Sequence, residues 1–378
     1  MRSMFSVADH TYMTLALRLA EQGLYSTQPN PRVGCVIVKN NQIIGQGAHI
    51  RAGEPHAEVL ALREAGADAK DADVYVTLEP CNHHGRTPPC VDALLAAGVG
   101  RVVVAMQDPN PLVAGNGLKR LSAHGLQVQA GLMEQEAIAL NPGFISRMTR
   151  GLPYVRSKIA ASLDGRTALK NGKSQWITGE AARLDVQHWR AQSCAIITGV
   201  GTVLTDNPSM TVRLDNAVRQ PLRVIIDSHL RTPADCKMLD VVTLPASPVM
   251  IAYASDANHG DVNDKAAFLN AAGAELLHLP DVNGHVNLNA LLSNLALRGI
   301  NEVLLEAGQG LNGAFLQANL IDEFIFYYAP KLMGADAKAM FAMEELSQMQ
   351  QAVDLQIFDV RQVGQDIRVR AKPVKPNL

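Results

Sequence analysis

Four residues of this 378-residue chain have types and spacing suited to zinc chemistry: His56, Glu58, Cys81 and Cys90. One imidazole and two thiolates fill three positions of a tetrahedral zinc and leave the fourth open, which is the arrangement of a catalytic site. Such a metal lowers the pKa of a bound water to about 7, and a carboxyl group nearby can carry the proton. Glu58 is the candidate carrier. The competing reading is that the cysteines are two small buried residues and the histidine a satisfied structural one, since Cys is among the most buried residue types. Each residue alone favours that reading, whereas the set, in this order, favours the metal.

For these residues to meet, secondary structure must bring them together. His56 and Glu58 follow Gly53-Glu54-Pro55, whose proline suits a first helical turn, and a helix is expected from Pro55 to about Gly66. Cys81 directly follows "TLEP", the end of the strand at "DVYVTLE" (73–79) and its proline, and Cys90 follows two prolines at the start of a helix expected from Pro88 to Gly98. Helix N-termini favour thiolate, so both sulfurs can face one point. Around them we expect an amphipathic N-terminal helix capped near Asp9, strands at 33–38 and at "RVVVAM", a helix near 117–124, the strand "LQVQAG" and a helical run from Glu134. Alternation of this kind implies a layered α/β domain over 1–150. Gly151 and Pro153 then break the chain. A second α/β unit is expected over 151–378, with strands at 154–161, 194–198, 222–227, 248–253, 302–306 and 322–328 and helices at 179–192, 264–273 and 287–298. Residues 255–265 and 280–288, rich in Asp, Asn, Gly and His, read as surface loops.

Bulk properties narrow the function classes. The length suits two domains, each able to bury a core. No stretch approaches the roughly 20 apolar residues of a membrane span, and the N-terminal segment lacks the pattern of a cleaved signal. Five cysteines without framework spacing suit a reducing compartment, so a cytoplasmic location is expected. A net charge of −2 argues against nucleic acid or an anionic membrane as principal partner and leaves small-molecule chemistry. A homodimer is the expected assembly.

H-x-E followed by P-C-x-x-C is the zinc-deaminase signature, and here eight residues, "NHHGRTPP", replace the usual two between the cysteines. With "NPRVG" (30–34) and "H-x6-H-A-E" (49–58), "EPCNHHGRTPPC" resembles the deaminase half of the bifunctional riboflavin-biosynthesis deaminase/reductases, in which the longer spacing is the family's own form. The resemblance implies a cytidine-deaminase-like N-terminal domain in which Asn30, His49 and Arg86 contact a diaminopyrimidine ribosyl phosphate. A guanidinium suits phosphate, while Asn30 reads equally as a turn residue before Pro31. His83 and His84 either touch substrate or are solvated loop histidines.

In the second half, Gly308, Gly310 and Gly313 stand in G-x-G-x-x-G spacing between a strand and a helix, which suits a phosphate cradle. The acids Asp322 and Glu323 come too early for a Rossmann arrangement, and a purely structural glycine turn is the alternative. "GVGTVLTDNPSMTVR" (199–213) is a second glycine-rich turn, or a surface loop with a capping Asp. These stretches, with "SKIAASLDGRTA", "SQWITG" and "HWR", resemble the reductase half of the same family, so the likeness covers almost the whole chain. It implies a dihydrofolate-reductase-like C-terminal domain that binds NADPH through Ala160, Trp176, Thr202, Asp206, Ser228 and the 308–314 loop. Ser174, Arg190, Met210, Arg213 and Glu306 would face substrate, with the two arginines clamping its phosphate. Trp176 reads alternatively as core. Lys158 is the candidate for polarising or protonating the sugar, with Asp206 its competitor, and a lysine near a phosphate can also serve only as a charge anchor. The family often has Gly where Ala307 stands, and a Cβ there restricts the loop if the position needs positive φ.

Two rival functions remain at this level. A zinc-stabilised nucleic-acid-binding module is opposed by the balanced charge and the lack of an aromatic-basic patch. The other is a zinc deaminase fused to a non-catalytic nucleotide-binding regulatory domain, and NADPH oxidation by the second half separates it from a reductase.

Overall fold

The structure is a computed structural model that describes residues 5–82, 88–111, 113–215, 217–240, 247–256 and 260–374. The chain divides into two compact units, Met1–Leu152 and Pro153–Leu378.

The first unit opens with α1 (Val7–Glu21). Its cap is Ser6, three residues before the expected Asp9. Asp9 closes the capping box instead, accepting from the Ser6 amide at 2.7 Å while Ser6 Oγ accepts from its own amide at 3.1 Å. Next come β1 (Gly34–Lys39) and β2 (Gln42–Ala48), a hairpin whose turn residues Asn40 and Asn41 both have positive φ. Then follow α2 (Ala57–Ala65), β3 (Asp73–Leu78), α3 (Cys90–Ala97), β4 (Arg101–Met106), α4 (Asn116–Ala123), β5 (Gln127–Ala130), α5 (Glu134–Leu140) and α6 (Pro142–Arg150). The sheet runs β2-β1-β3-β4-β5, with β1 antiparallel to both neighbours and β3, β4 and β5 parallel.

A row of small residues sets the place of α2. Ala57, Ala61 and Ala65 repeat at helical spacing and Gly45 and Gly47 at strand spacing. A Cβ on Gly45 would run into the Ala61 carbonyl, and one on Gly47 into the Ala57 carbonyl, so the helix lies directly on the backbone of β2. The N-terminus of α2, where His56 stands, is thereby fixed against the sheet.

The second unit contains β6 (Tyr154–Ser162), β7 (Arg166–Ala168), α7 (Glu180–Gln192), β8 (Ala195–Gly199), α8 (Val200–Asp206), β9 (Leu222–Ile226), β10 (Val249–Tyr253), α9 (Gly260–Ala271), β11 (Ala274–His278), α10 (Leu288–Leu297), β12 (Glu302–Leu305), α11 (Gln309–Gln317), β13 (Glu323–Ala329), β14 (Lys338–Ala339), β15 (Leu355–Val363) and β16 (Asp366–Pro373). Nine strands form one sheet in the order β11-β10-β9-β8-β12-β6-β13-β16-β15. It is parallel from β11 to β13, and the closing hairpin is antiparallel. The stretch 199–206, expected as a turn or loop, is largely helix α8, and α9 begins at Gly260, inside the expected 255–265 loop. In a parallel sheet the carboxyl ends of all strands share one edge, and the segments that follow them supply ligand contacts. Ser228 after β9 and Glu306 after β12 come from such positions, whereas Lys158 and Ala160 lie within β6, Lys158 one residue beyond the Ser157 that pairs with Leu305 of β12.

Candidate active sites

The structure brings His56, Cys81 and Cys90 together, with their ligand atoms all within 4.8 Å of one another. His56 is the N-cap residue of α2, and its ring makes no capping bond. Its Nδ1 instead faces both sulfurs, at 3.2 Å from Cys90 Sγ and 3.5 Å from Cys81 Sγ. Cys90 is the first residue of α3, and its amide donates to Cys81 Sγ at 3.3 Å. The Cys90 thiol, with this amide and the imidazole behind it, holds the Cys81 pKa well below the ordinary thiol range, while Cys90 is held well above it by the same shared proton and by burial. Glu58 lies in the first turn of α2 with 3 % of its surface exposed. Burial, together with the negative Cys81 sulfur, pushes its carboxyl up to about 7.

Asn30 and His49 join this cluster. The His49 and His56 rings meet edge to face with centroids 5.3 Å apart, and Asn30 Nδ2 lies 3.0 Å from His49 Nε2. The other nitrogen, Nδ1, lies 3.2 Å from the Pro55 carbonyl, which can only accept. Nδ1 therefore carries the proton and Nε2 accepts from the Asn30 amide, in keeping with burial lowering the His49 pKa. His83, His84 and Arg86 lie outside the described residues. Sequence reasoning passed over Glu79, which is buried just before Pro80 and Cys81; its stretch, which also holds Asp73 and Thr77, carries no signal that sets it apart.

In the second unit Glu306 is the hub. Arg190 grips it with two bonds, Nε to Oε1 at 2.5 Å and Nη2 to Oε2 at 3.0 Å, and Lys158 Nζ approaches Oε2 at 3.2 Å. Burial opposes ionisation there, but these two cations hold the Glu306 pKa down at about 2. The remaining polar contacts of Arg190 go to the Thr211 carbonyl at 3.0 Å and Met210 Sδ at 3.5 Å. Arg213 is exposed, with its amide held by Gln187 and one Nη 3.4 Å from Ser209 Oγ. Ser174 Oγ lies 3.5 Å from Asp206 Oδ1, and burial raises the Asp206 pKa. Ser228 accepts from the Val286 amide through Oγ at 3.3 Å. Thr202 lies in the first turn of α8, and Trp176 is 64 % exposed, so it is not core.

The three glycines of the 308–313 spacing differ in role. Gly308 is the N-cap of α11 with φ −77°, and for neither it nor Gly310 does any described atom beyond the adjoining chain lie within 4 Å of where a Cβ would stand. A Cβ on Gly313 would strike the Ala342 carbonyl, so that glycine serves close packing. Neither Ala307 nor any of the three glycines has positive φ, and the Cβ of Ala307 therefore does not strain the turn.

Comparison with known proteins settles the family. Residues 153–369 match the RibD C-terminal domain, and residues 6–106 match the cytidine and deoxycytidylate deaminase zinc-binding region. The riboflavin biosynthesis protein RibD of Escherichia coli K12 is 48 % identical, over 95 % of this chain and 98 % of its own. The chain belongs to the RibD family. RibD of Bacillus amyloliquefaciens is 46 % identical over 97 % of this chain and 96 % of its own. Among solved structures, Acinetobacter baumannii RibD superposes with a TM-score of 0.87 at 47 % identity, covering 97 % of this chain and 99 % of that one. A Thermotoga maritima diaminohydroxyphosphoribosylaminopyrimidine deaminase/5-amino-6-(5-phosphoribosylamino)uracil reductase gives a TM-score of 0.84 at 33 % identity, with the same coverage. As a RibD, the chain is a bifunctional enzyme of riboflavin biosynthesis with a zinc-binding, cytidine-deaminase-like first unit and an NADPH-dependent reductase as its second. A purely regulatory second unit is not favoured. No helix among the described residues is long and apolar enough to cross a membrane.

Proposed function

We propose that the first unit hydrolytically deaminates a diaminopyrimidine ribosyl phosphate and that the second reduces the ribosyl group of the product to a ribityl chain. The observation that carries the first half is the convergence of His56, Cys81 and Cys90 beside buried Glu58. This donor set fits zinc: one imidazole nitrogen and two sulfurs, one of which already favours thiolate. When bound, zinc supplies a Lewis acid that lowers the pKa of water. His56 Nδ1, Cys81 Sγ and Cys90 Sγ hold it. Glu58 accepts a proton at its carboxylate and returns it to the departing nitrogen, shielded from bulk solvent by its burial. Asn30 and His49 form one wall of the pocket, and the His49 tautomer presents a fixed donor and acceptor pattern. Arg86 is assigned to the phosphate.

NADPH fits the second unit because Gly308 and Gly310 leave open space at the start of α11, whose amides have no side-chain cap. The cofactor supplies hydride. Ala160, Trp176, Thr202, Asp206, Ser228 and the 308–313 turn hold it, while Ser174 and Met210 border the substrate. Lys158 Nζ, fixed by Glu306, faces the sugar as polarising group or proton donor, and Asp206 is the second candidate. Arg213 carries the phosphate, because Arg190 is turned onto Glu306.

We place the enzyme in the cytoplasm as a homodimer. All five cysteines are free, as a reducing compartment keeps them. The edge strand β15 exposes Leu355, Ile357, Phe358 and Val360, and such an edge calls for a partner. The decisive assay supplies the diaminopyrimidine ribosyl phosphate with and without NADPH and follows ammonia release and nicotinamide absorbance separately. Ammonia release without NADPH and oxidation only after deamination are expected; no ammonia from zinc-loaded enzyme overturns the proposal.

A further inference from the structure

Glu79 stands at the carboxyl end of β3, two residues before Cys81, and is buried. Its two oxygens accept from four backbone amides of one neighbouring segment. Oε2 receives Asp108 N at 3.1 Å and Gly115 N at 2.9 Å; Oε1 receives Gly117 N at 2.9 Å and Leu118 N at 3.4 Å. These donors lie at both ends of the passage from β4 to α4 and in the first turn of α4. β3 and β4 are parallel neighbours, so that passage leaves the sheet at the same edge as the zinc ligand Cys81. Two more contacts bind it there. The Gly117 Cα lies so close to Pro80 that a Cβ would strike the Pro80 carbonyl, and Arg120 at the far end of α4 donates to Asn82 at 2.8 Å and Asp92 at 2.5 Å. Pro80, Asn82 and Asp92 flank Cys81 and Cys90 in sequence.

A segment of this length at a sheet edge ordinarily depends on solvent or on its own turns for its amide bonds. Here one side chain takes four of them, each oxygen being a double acceptor. We propose that Glu79 is a positioning residue of the deaminase: through Asp108, Gly115, Gly117 and Leu118 it holds the backbone at the start of α4 and after β4 as a rigid wall of the substrate pocket beside His56, Cys81 and Cys90. This rests on the deaminase reading of that site. None of Glu79's bonds goes to His56, Glu58, Cys81 or Cys90, so on this proposal Glu79 governs how well substrate is held and leaves metal binding and proton transfer to other residues. Glu79→Gln is the informative change, because an amide NH2 in place of one oxygen meets two N–H donors and cannot satisfy either.

The test compares wild-type and Glu79→Gln full-length enzyme for zinc content, for steady-state ammonia release from the diaminopyrimidine ribosyl phosphate, and for reduction of supplied deaminated intermediate as a fold control. We expect one zinc per chain in both, unchanged reduction, and a KM for deamination raised about 10-fold or more with kcat within about 3-fold. Loss of zinc, a fall in kcat exceeding the rise in KM, or unchanged kinetics overturns the proposal. A wild type that binds zinc but releases no ammonia overturns the underlying deaminase reading instead. Should Glu79→Gln fail to fold, amide hydrogen exchange of the wild type decides. Protection of Asp108, Gly115 and Gly117 comparable to the β3 and β4 amides supports the clamp, and exchange as fast as exposed turns overturns it.

Discussion

At the scale of single residues, the two sites treat their charged groups in opposite ways. Glu58 is isolated with the metal ligands, and Glu58→Gln keeps its shape while removing the proton carrier. Zinc content should stay at one per chain while ammonia release falls about 10²- to 10⁴-fold; near-normal release from a zinc-loaded variant would refute the assignment. Glu306 instead neutralises its neighbours. Since Arg190 is committed to it and Arg213 is exposed, Arg213→Ala should raise the reductase KM about 10-fold or more with the fold intact. Arg190→Ala should lower thermal stability, because it strips a buried carboxylate of its partner. Equal melting temperatures for the two variants would show that both arginines are ligand-facing. The metal residues were legible in the sequence because His56, Glu58, Cys81 and Cys90 carry their chemistry in their types and order. Glu79 was not, because its role depends on amides some 30 to 40 positions away, and no residue type marks a backbone donor. The commitment of Arg190 was equally hidden, since in sequence an arginine facing a carboxylate looks like one facing a phosphate.

At the scale of elements, the contact of α2 with β2 connects backbone packing to chemistry. Gly47→Val would place branched carbon against the Ala57 carbonyl and lift the helix end that carries His56 and Glu58. We expect a stability loss of about 3 kcal/mol together with reduced zinc stoichiometry, measured by thermal unfolding and metal analysis; a variant with full zinc and an unchanged melting temperature would show that α2 does not depend on this contact. The strand of this pair was itself hard to read. "QIIGQGA" has glycines where a strand usually shows side chains, because here a helix occupies their place. The closing hairpin of β15 and β16 was missed for a different reason. Leu355 to Val363 is largely exposed, so alternation with respect to a core is weak, although Gly364 at φ +63° marks its turn. The parallel strands β8, β9, β10 and β12 were legible as short apolar runs because both faces are covered. α8 was obscured by Gly199 and Gly201, which read as turn residues yet stand at a helix start.

At the scale of the whole molecule, the two activities should be separable by mutation. Gly310→Val adds carbon into open space at the start of α11, so the protein should fold, release ammonia normally and fail to oxidise NADPH. Gly313→Val meets the Ala342 carbonyl and should lower the melting temperature as well. Undiminished NADPH oxidation by Gly310→Val would place the cofactor elsewhere. Acid should weaken the second unit through Glu306. Its folded pKa of about 2 lies below the ordinary 4.5, so its contribution is complete above 4.5 and is lost as pH falls towards 2. The amount is about 3 kcal/mol at most, and Glu306→Gln should flatten the pH dependence of unfolding in that window. The position of β6 has a consequence for how the protein is made. β6 is the first strand of its sheet to leave the ribosome, yet its neighbours among the described residues are β12 and β13; its Arg156 finds Glu302 146 residues later. At roughly 5 to 20 residues per second, translation leaves this strand without a neighbour for roughly 7 to 30 s. Nascent chains stalled before β12 should therefore recruit holdase chaperones and aggregate when released, whereas chains stalled after β13 should not.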